Sequence, residues 1–251
     1  MSLPEVVSPE QWLAARLHLL EQEKEMTRRR DSLNADRRRM PMVAVGKDYA
    51  FEGPAGPAGL LEMFDGCSQL VLQHVMFGPD WQDACPACSA WLDEMGPGVL
   101  AHLRSRDTAF AGVSRAPRAK LASCQERKGW QFPWYSSFGS DFNYDFHVTL
   151  DEAVAPVEFN YRTRAEYEQA GLDDGSLGKQ STELSGTSCF VRDGDSVFHT
   201  YSTFARGLDQ VGSAYTLLDL TAFGRSENWE EPKGRVGHPH GPDPSFGGFG
   251  D

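Results

Sequence analysis

Apolar positions along the chain follow two periods, and each predicts a different element. From Ser8 to Arg39 the apolar residues fall three or four apart, with Leu13, Leu17 and Leu20 on one stripe, which is helical spacing. Ser8 suits the N-cap and Pro9 the first helical position, with Glu10 and Gln11 in the first turn and Pro41 just past the end. Beyond Met26 this helix turns polar. Its two basic clusters, Arg28–Arg30 and Arg37–Arg39, are balanced by Glu21, Glu23, Glu25, Asp31 and Asp36 and read as a solvated face. Tyr49–Gly53 opens with aromatic alternation, 53–59 reads as a loop and Leu60–Phe64 as a short turn of helix. Leu70-Val-Leu-Gln-His-Val-Met-Phe77 and Thr108-Ala-Phe-Ala-Gly-Val-Ser114 are apolar runs of buried-strand length. Between them lie two helical pieces, 90–95 and 99–103, parted by Gly96-Pro97. Strand, helix and strand in succession predict a parallel crossover.

A helix over Lys120–Lys128 ends at Gly129, and Trp130–Tyr135 reads as an aromatic strand interrupted by Pro133. Asp141–Val148 alternates strictly, with Phe142, Tyr144, Phe146 and Val148 pointing one way, and predicts a strand. Residues 151–185 are polar and irregular and predict a surface excursion. Ser188–Arg192 and Ser196–Tyr201 flank Asp193-Gly194, a hairpin signal. Gly207–Phe223 predicts a closing helix that buries Leu208, Val211, Tyr215, Leu218 and Leu220. The expected architecture is α/β, a central mixed β-sheet flanked by helices. A helical extension over 1–45 precedes a domain over 46–226, and a Gly/Pro-rich tail over 227–251 follows it. No internal repeat is evident.

Composition narrows the function classes. A chain of 251 residues, 40% of them hydrophobic, buries a full core. A net charge of -12 argues against nucleic acid or an anionic membrane surface as the main partner. Mean hydropathy is -0.47, and no apolar run is long enough to span a bilayer. Met1–Val7 has neither a basic start nor a long apolar stretch, so a cytoplasmic location is the expectation. Five cysteines are too few for a disulfide framework, and an isolated Cys-x-x-Cys in a reducing compartment signals redox or metal chemistry.

That motif is Trp81-Gln-Asp-Ala-Cys85-Pro86-Ala87-Cys88-Ser89, set between a predicted strand and a predicted helix. Two intervening residues in a first helical turn bring the sulfurs within bridging range. Unpaired N–H groups and positive potential at the helix start favour a thiolate on Cys85. Pro86 suits that start because it has no N–H to leave unsatisfied.

The order strand, Cys-x-x-Cys helix, strand, helix, hairpin and helix resembles the thioredoxin fold. Longer stretches are more specific. Met76-Phe-Gly-Pro-Asp-Trp81, Cys85-Pro-Ala-Cys-Ser89, Val113-Ser-Arg-Ala-Pro117, Gly129-Trp-Gln-Phe-Pro-Trp134, Ser136-Ser-Phe-Gly-Ser-Asp-Phe-Asn-Tyr-Asp-Phe-His147 and Phe198-His-Thr-Tyr-Ser202 all resemble one bacterial family. That family is the thioredoxin-like domain of unknown function 899, whose usual label is dithiol–disulfide oxidoreductase. One departure from thioredoxins at large is the missing cis-proline before the hairpin. No proline lies between Pro156 and Pro232, and Gly186-Thr187-Ser188 takes its place.

The expected chemistry is disulfide exchange without a cofactor, Cys85 attacking and Cys88 resolving. The expected partner is a disulfide-containing substrate or a redox protein. Homodimerisation is expected through the N-terminal helix or the C-terminal tail. Trp81 and Trp91 would shield the pair, Pro86, Ala87, Thr187 and Ser188 would flank it, and His74 is the candidate for proton transfer. Asp83, Asp93 and Glu94 would oppose the thiolate. Cys67, Cys124 and Cys189 read as buried structural residues, with Cys189, at the start of the hairpin, the alternative third thiol near the site.

Three rivals remain. A thiol peroxidase would want Thr or Ser three residues before the reactive cysteine, where Gln82 stands. A metal site would need Asp145 and His147, or His199, to join the dithiol, or else would use His238 and His240 in the tail. A binding module would use the aromatic region 130–146.

Overall fold

The computed structural model describes residues 3–212, 214–222, 231 and 233. Helix α1, Pro9–Arg39, starts with a reciprocal cap: Gln11 N donates to Ser8 Oγ at 3.3 Å and Ser8 N to Gln11 Oε1 at 3.0 Å. It buries no residue, and Leu13 and Leu17 are half exposed. Strand β1, Val43–Ala44, follows, then the hairpin β2, Phe51–Gly53, and β3, Gly56–Ala58, where a loop was expected. A 3-10 turn at Leu61–Phe64 leads into β4, Gln69–His74. Next come α2, Pro86–Asp93, α3, Pro97–Arg104, and β5, Thr108–Ser114. Helix α4, Arg118–Lys128, ends on Gly129 at φ 70°, a left-handed turn that glycine takes without strain. Strand β6, Trp134–Ser136, precedes a helical turn α5, Phe142–Asp145, and β7, Thr149–Leu150. The pair β8, Glu158–Phe159, and β9, Arg162–Thr163, then α6, Arg164–Gln169, and β10, Thr182–Glu183, follow. Strands β11, Gly186–Asp193, and β12, Ser196–Phe204, form the predicted hairpin, with Gly194 at φ 57° in its turn. A 3-10 segment, Ala205–Gln210, and α7, Ala214–Leu218, come last among the described elements.

The main sheet has eight strands in the order β1-β12-β11-β4-β5-β6-β2-β3. Strands β4, β5 and β6 run parallel through helical crossovers, and β11 pairs antiparallel with both β4 and β12. A dithiol helix crossing from β4 to β5, with an antiparallel hairpin on the other side of β4, makes the fold thioredoxin-like. Alternation along β4 sorts the core onto two faces. Leu70 and Leu72 join Phe51, Phe64, Phe142 and Phe190 on one face. Val71 and Val75 join Phe77, Leu92, Phe110 and Trp134 on the other, together with Cys85 and Cys88.

Three expectations need correction. Asp141–Val148 holds a turn of helix at Phe142–Asp145, not a strand: Phe142 and Phe146, four apart, pack tilted at 4.4 Å between ring centroids, and His147 then takes a φ of 53°. Residues 151–185 are more than a surface excursion, because Phe159, Tyr167, Leu177 and Leu184 bury a third cluster with Phe204. The single closing helix is instead the 3-10 segment and α7. Leu208 is buried while Val211, Leu218 and Leu220 are exposed, and Phe223 lies outside the described residues. The tail over 227–251 likewise lies outside them, apart from Glu231 and Lys233.

Candidate functional site

The loop from Met76 to Cys85 is pinned at the C-terminal ends of β4 and β5. Ala116 N donates to Phe77 O at 2.8 Å, and Cys85 N donates to Met76 O at 2.9 Å. Lys120 Nζ donates to the carbonyls of Pro79 and Trp81 at 2.6 and 2.9 Å. These bonds deliver Cys85 to the N-cap of α2 at φ -50° and ψ 131°, with Pro86 at the first helical position. Cys88 follows in the first turn, and Ser89 N closes the first helical bond to Cys85 O at 2.9 Å. Cys85 keeps 9% of its surface exposed and Cys88 5%. Cys85 is therefore the more accessible of two largely covered sulfurs, at a helix terminus whose N–H groups favour negative charge.

The neighbouring acids have cationic partners. Asp83 pairs with Arg127, and Asp93 accepts from Trp130 Nε1 at 2.8 Å and Lys128 Nζ at 3.3 Å. Their opposition to a thiolate is offset to that extent, although such exposed pairs are screened. Trp81 is 37% exposed and stands against Gly78, where an added Cβ would meet its Nε1 at 3.0 Å. Trp91 packs near Phe110 with ring centroids 6.1 Å apart, and an added Cβ at Gly212 would reach it at 3.0 Å.

The structure divides the other candidates between the two sheet faces. Thr187 pairs with Gln73 and donates to its Oε1 at 2.5 Å, on the dithiol face. His74 and Ser188 sit on the opposite face. There His74 Nε2 lies 2.8 Å from Ser188 Oγ, and its ring packs beside both Phe142 and Phe146. The proton-transfer role for His74 and the flanking role for Ser188 are thus corrected: strand alternation turns both away from the sulfurs. Asp145, His147 and His199 share that far side and do not complete a metal site with the dithiol. Among the described residues no group of three or more His, Cys, Asp or Glu gathers as metal ligands, and His238 and His240 lie outside them.

Cys124, read as structural, belongs to the dithiol's own cluster and bonds the backbone of Ala84, while burial pushes its thiol pKa up. Cys189 lies across from Val71, two residues along β11 from Thr187, and burial raises its pKa too.

One pair beside the loop escaped the sequence reading. Glu183 accepts from Arg115 Nη1 at 2.8 Å and from Thr149 Oγ1 at 2.7 Å. An added Cβ at Gly78 would stand 3.4 Å from its Cγ, so this pair borders the loop. Burial raises the Glu183 pKa, against the pull of its Thr149 and Arg115 bonds. Arg115 also lies 4.9 Å over the Tyr144 ring. An Arg directly after a buried strand was the only local sign of it.

Residues 1–239 match the family described as "Bacterial protein of unknown function (DUF899)". The chain belongs to DUF899. No curated protein matches it. Among solved structures, this DUF899 chain is similar to a peroxiredoxin Q mutant from Xanthomonas campestris at 15% identity and a TM-score of 0.42, over 67% of this chain and 94% of that one. A PrxQ mutant from Xylella fastidiosa matches at 12% identity and 0.40, over 65% and 84%. Peroxidoxin BcpB from Mycobacterium tuberculosis matches at 16% and 0.39, over 66% and 85%. Likeness at this level says nothing about the chemistry of a DUF899 protein.

Proposed function

We propose that the protein is a thiol–disulfide oxidoreductase working through Cys85 and Cys88. The Cys85 thiolate attacks a substrate disulfide, that S–S bond breaks, and the departing sulfur takes a proton. Cys88, losing its own proton, then attacks the mixed disulfide and releases the second substrate thiol. Two electrons pass to the substrate and the pair is left oxidised, to be reduced by a redox partner such as a cytoplasmic compartment supplies. Trp81, Pro86, Ala87, Trp91 and Thr187 surround the pair in this reading. The observation that carries it is the pairing of Cys85 at the α2 N-cap with Cys88 three residues on, at the C-terminal end of the central parallel strands.

Reduction of a model protein disulfide by wild type, Cys85→Ser and Cys88→Ser tests it. Expected results are turnover in the wild type, its loss in Cys85→Ser, and a mixed disulfide trapped on Cys88→Ser and seen by mass. An inactive wild type, or a Cys85→Ser that keeps full activity, overturns the assignment. Stoichiometric metal in an inactive preparation would point to a binding module instead, and consumption of peroxide but not disulfide to a thiol peroxidase.

A further inference from the structure

On the sheet face away from the dithiol lies a cavity of about 360 Å³, walled by the β1–β12 edge and by residues 145–147, 158, 160 and 161. Its size is that of a small-molecule site. Val43, Val45, Tyr49, Phe146, Tyr161 and Phe204 give it an apolar, largely aromatic body. Its polar end is His199 with Ser202. These two begin a hydrogen-bonded chain into the core: His199 Nε2 to Ser202 Oγ at 2.7 Å, Ser202 Oγ to Ser188 Oγ at 2.8 Å, and Ser188 Oγ to His74 Nε2 at 2.8 Å. The far atom, His74 Nδ1, is buried without a hydrogen-bond partner. A polar string threaded through aromatic rings is a costly way to fill a core that apolar side chains would fill at least as well. It does hold the His199 ring and the Ser202 hydroxyl in fixed positions at the cavity wall.

Backbone strain gathers at the same place. Six described non-glycine residues have positive φ, and three of them, His147 at 53°, Asn160 at 46° and Tyr161 at 63°, line this cavity. Asn160 and His147 are residue types that tolerate this conformation, whereas Tyr161 takes it at a cost of about 1–2 kcal/mol, and strain of this kind concentrates at ligand sites. Tyr161, itself 68% exposed, is tied to the polar end by its hydroxyl, which donates to Ser202 O at 2.8 Å.

The charges decide the ligand class. Lys47, on the wall, is committed to Asp141 and Asp145, each at 2.8 Å. Asp145 and Glu158 also stand on the wall and repel anions. Burial lowers the His199 pKa and so disfavours its charged form, against the pull of its bond to the Tyr201 backbone. We propose that this cavity binds a neutral, mainly apolar small molecule, aromatic in body, that presents one hydroxyl or carbonyl to His199 and Ser202.

Fluorescence of the neutral probe N-phenyl-1-naphthylamine, with competition by 4-propylphenol, propylbenzene and 4-propylbenzoate, tests the proposal. Saturable probe binding is expected, with the phenol displacing it about tenfold more effectively than propylbenzene, the worth of one hydrogen bond. The benzoate should not compete. Ser202→Ala and Tyr161→Ala should each weaken binding of the phenol by about tenfold, and Tyr161, being exposed, can change without threatening the fold. Trp12→Ala on α1 should leave binding unchanged. Equal competition by phenol and propylbenzene overturns the proposal, as does unaltered phenol affinity in Tyr161→Ala. Absent probe binding, or loss of it in Trp12→Ala, does the same.

Discussion

Glu183 is 4% exposed, and Arg115 supplies the charge that lets a carboxylate stand so deep beside the dithiol loop. Removing one partner of such a pair leaves an uncompensated charge, so Arg115→Ala should lower stability by about 3–5 kcal/mol in urea denaturation. The double variant Arg115→Met with Glu183→Gln should recover much of it, and a double variant no better than Arg115→Ala would show that packing, not charge, was lost. His74 sets a pH dependence. Desolvation, then the neighbouring His199, lowers its pKa from 6.5 to about 3. Between those values the unfolded chain binds the extra proton, so stability rises with pH there and falls on acidification, by up to about 1.4 kcal/mol per pH unit. Glu183, whose folded pKa is raised, works in the opposite sense above its ordinary value. The informative quantity is therefore the difference between wild type and His74→Gln across roughly pH 4 to 7, where the variant should have the shallower slope. Parallel profiles would remove His74 from the account.

At the scale of elements, the segment 141–148 shows how two periods can coincide. Phe142 and Phe146 share one face of a strand and also lie four apart on a helix, so alternation alone could not choose between them. Packing chose, because both rings gather around Tyr49 and His74 only when the chain coils. In α6 the opposite happened. Thr163-Arg-Ala-Glu166 is a capping-box pattern that the reading of 151–185 as irregular passed over, and the structure shows both of its bonds. Thr163→Ala should cost about 1 kcal/mol of stability by thermal melting. Strand β5 is held more tightly. A Cβ on Gly112 would stand 2.9 Å from Trp134 Cδ1 and 3.3 Å from Phe132 Cε2, behind the dithiol helix. Gly112→Ala should therefore destabilise by about 1–3 kcal/mol, and a neutral result would mean that the indole moves freely.

For the molecule as a whole, α1 is the longest exposed element among the described residues. A helix of 31 residues with no buried side chain exposes Trp12, Leu13, Leu17 and Met26. Isolated helices are weak in water, and most helical stability comes from packing an apolar face. We propose that a second copy of the chain covers these exposed side chains. Leu13→Glu with Leu17→Glu should shift a dimer to monomer in light scattering while leaving the core melt unchanged. A wild type that is monomeric at high concentration would dismiss the idea. No helix among the described residues is long and apolar enough to cross a membrane.

What the sequence determined unaided was local. The caps of α1, the stop at Gly129, the hairpin turn at Gly194 and the Cys-x-x-Cys at a strand-to-helix junction depend on neighbours a few residues apart, whose sterics and hydrogen bonds travel with the chain. Tertiary structure alone decided which face each side chain meets. Arg115 and Glu183 are 68 residues apart, and His74 and Ser188 are 114 apart. Both pairs exist only because strand register and crossover bring them together, and a shift of one residue along β11 would turn Ser188 towards the dithiol and Thr187 away from it.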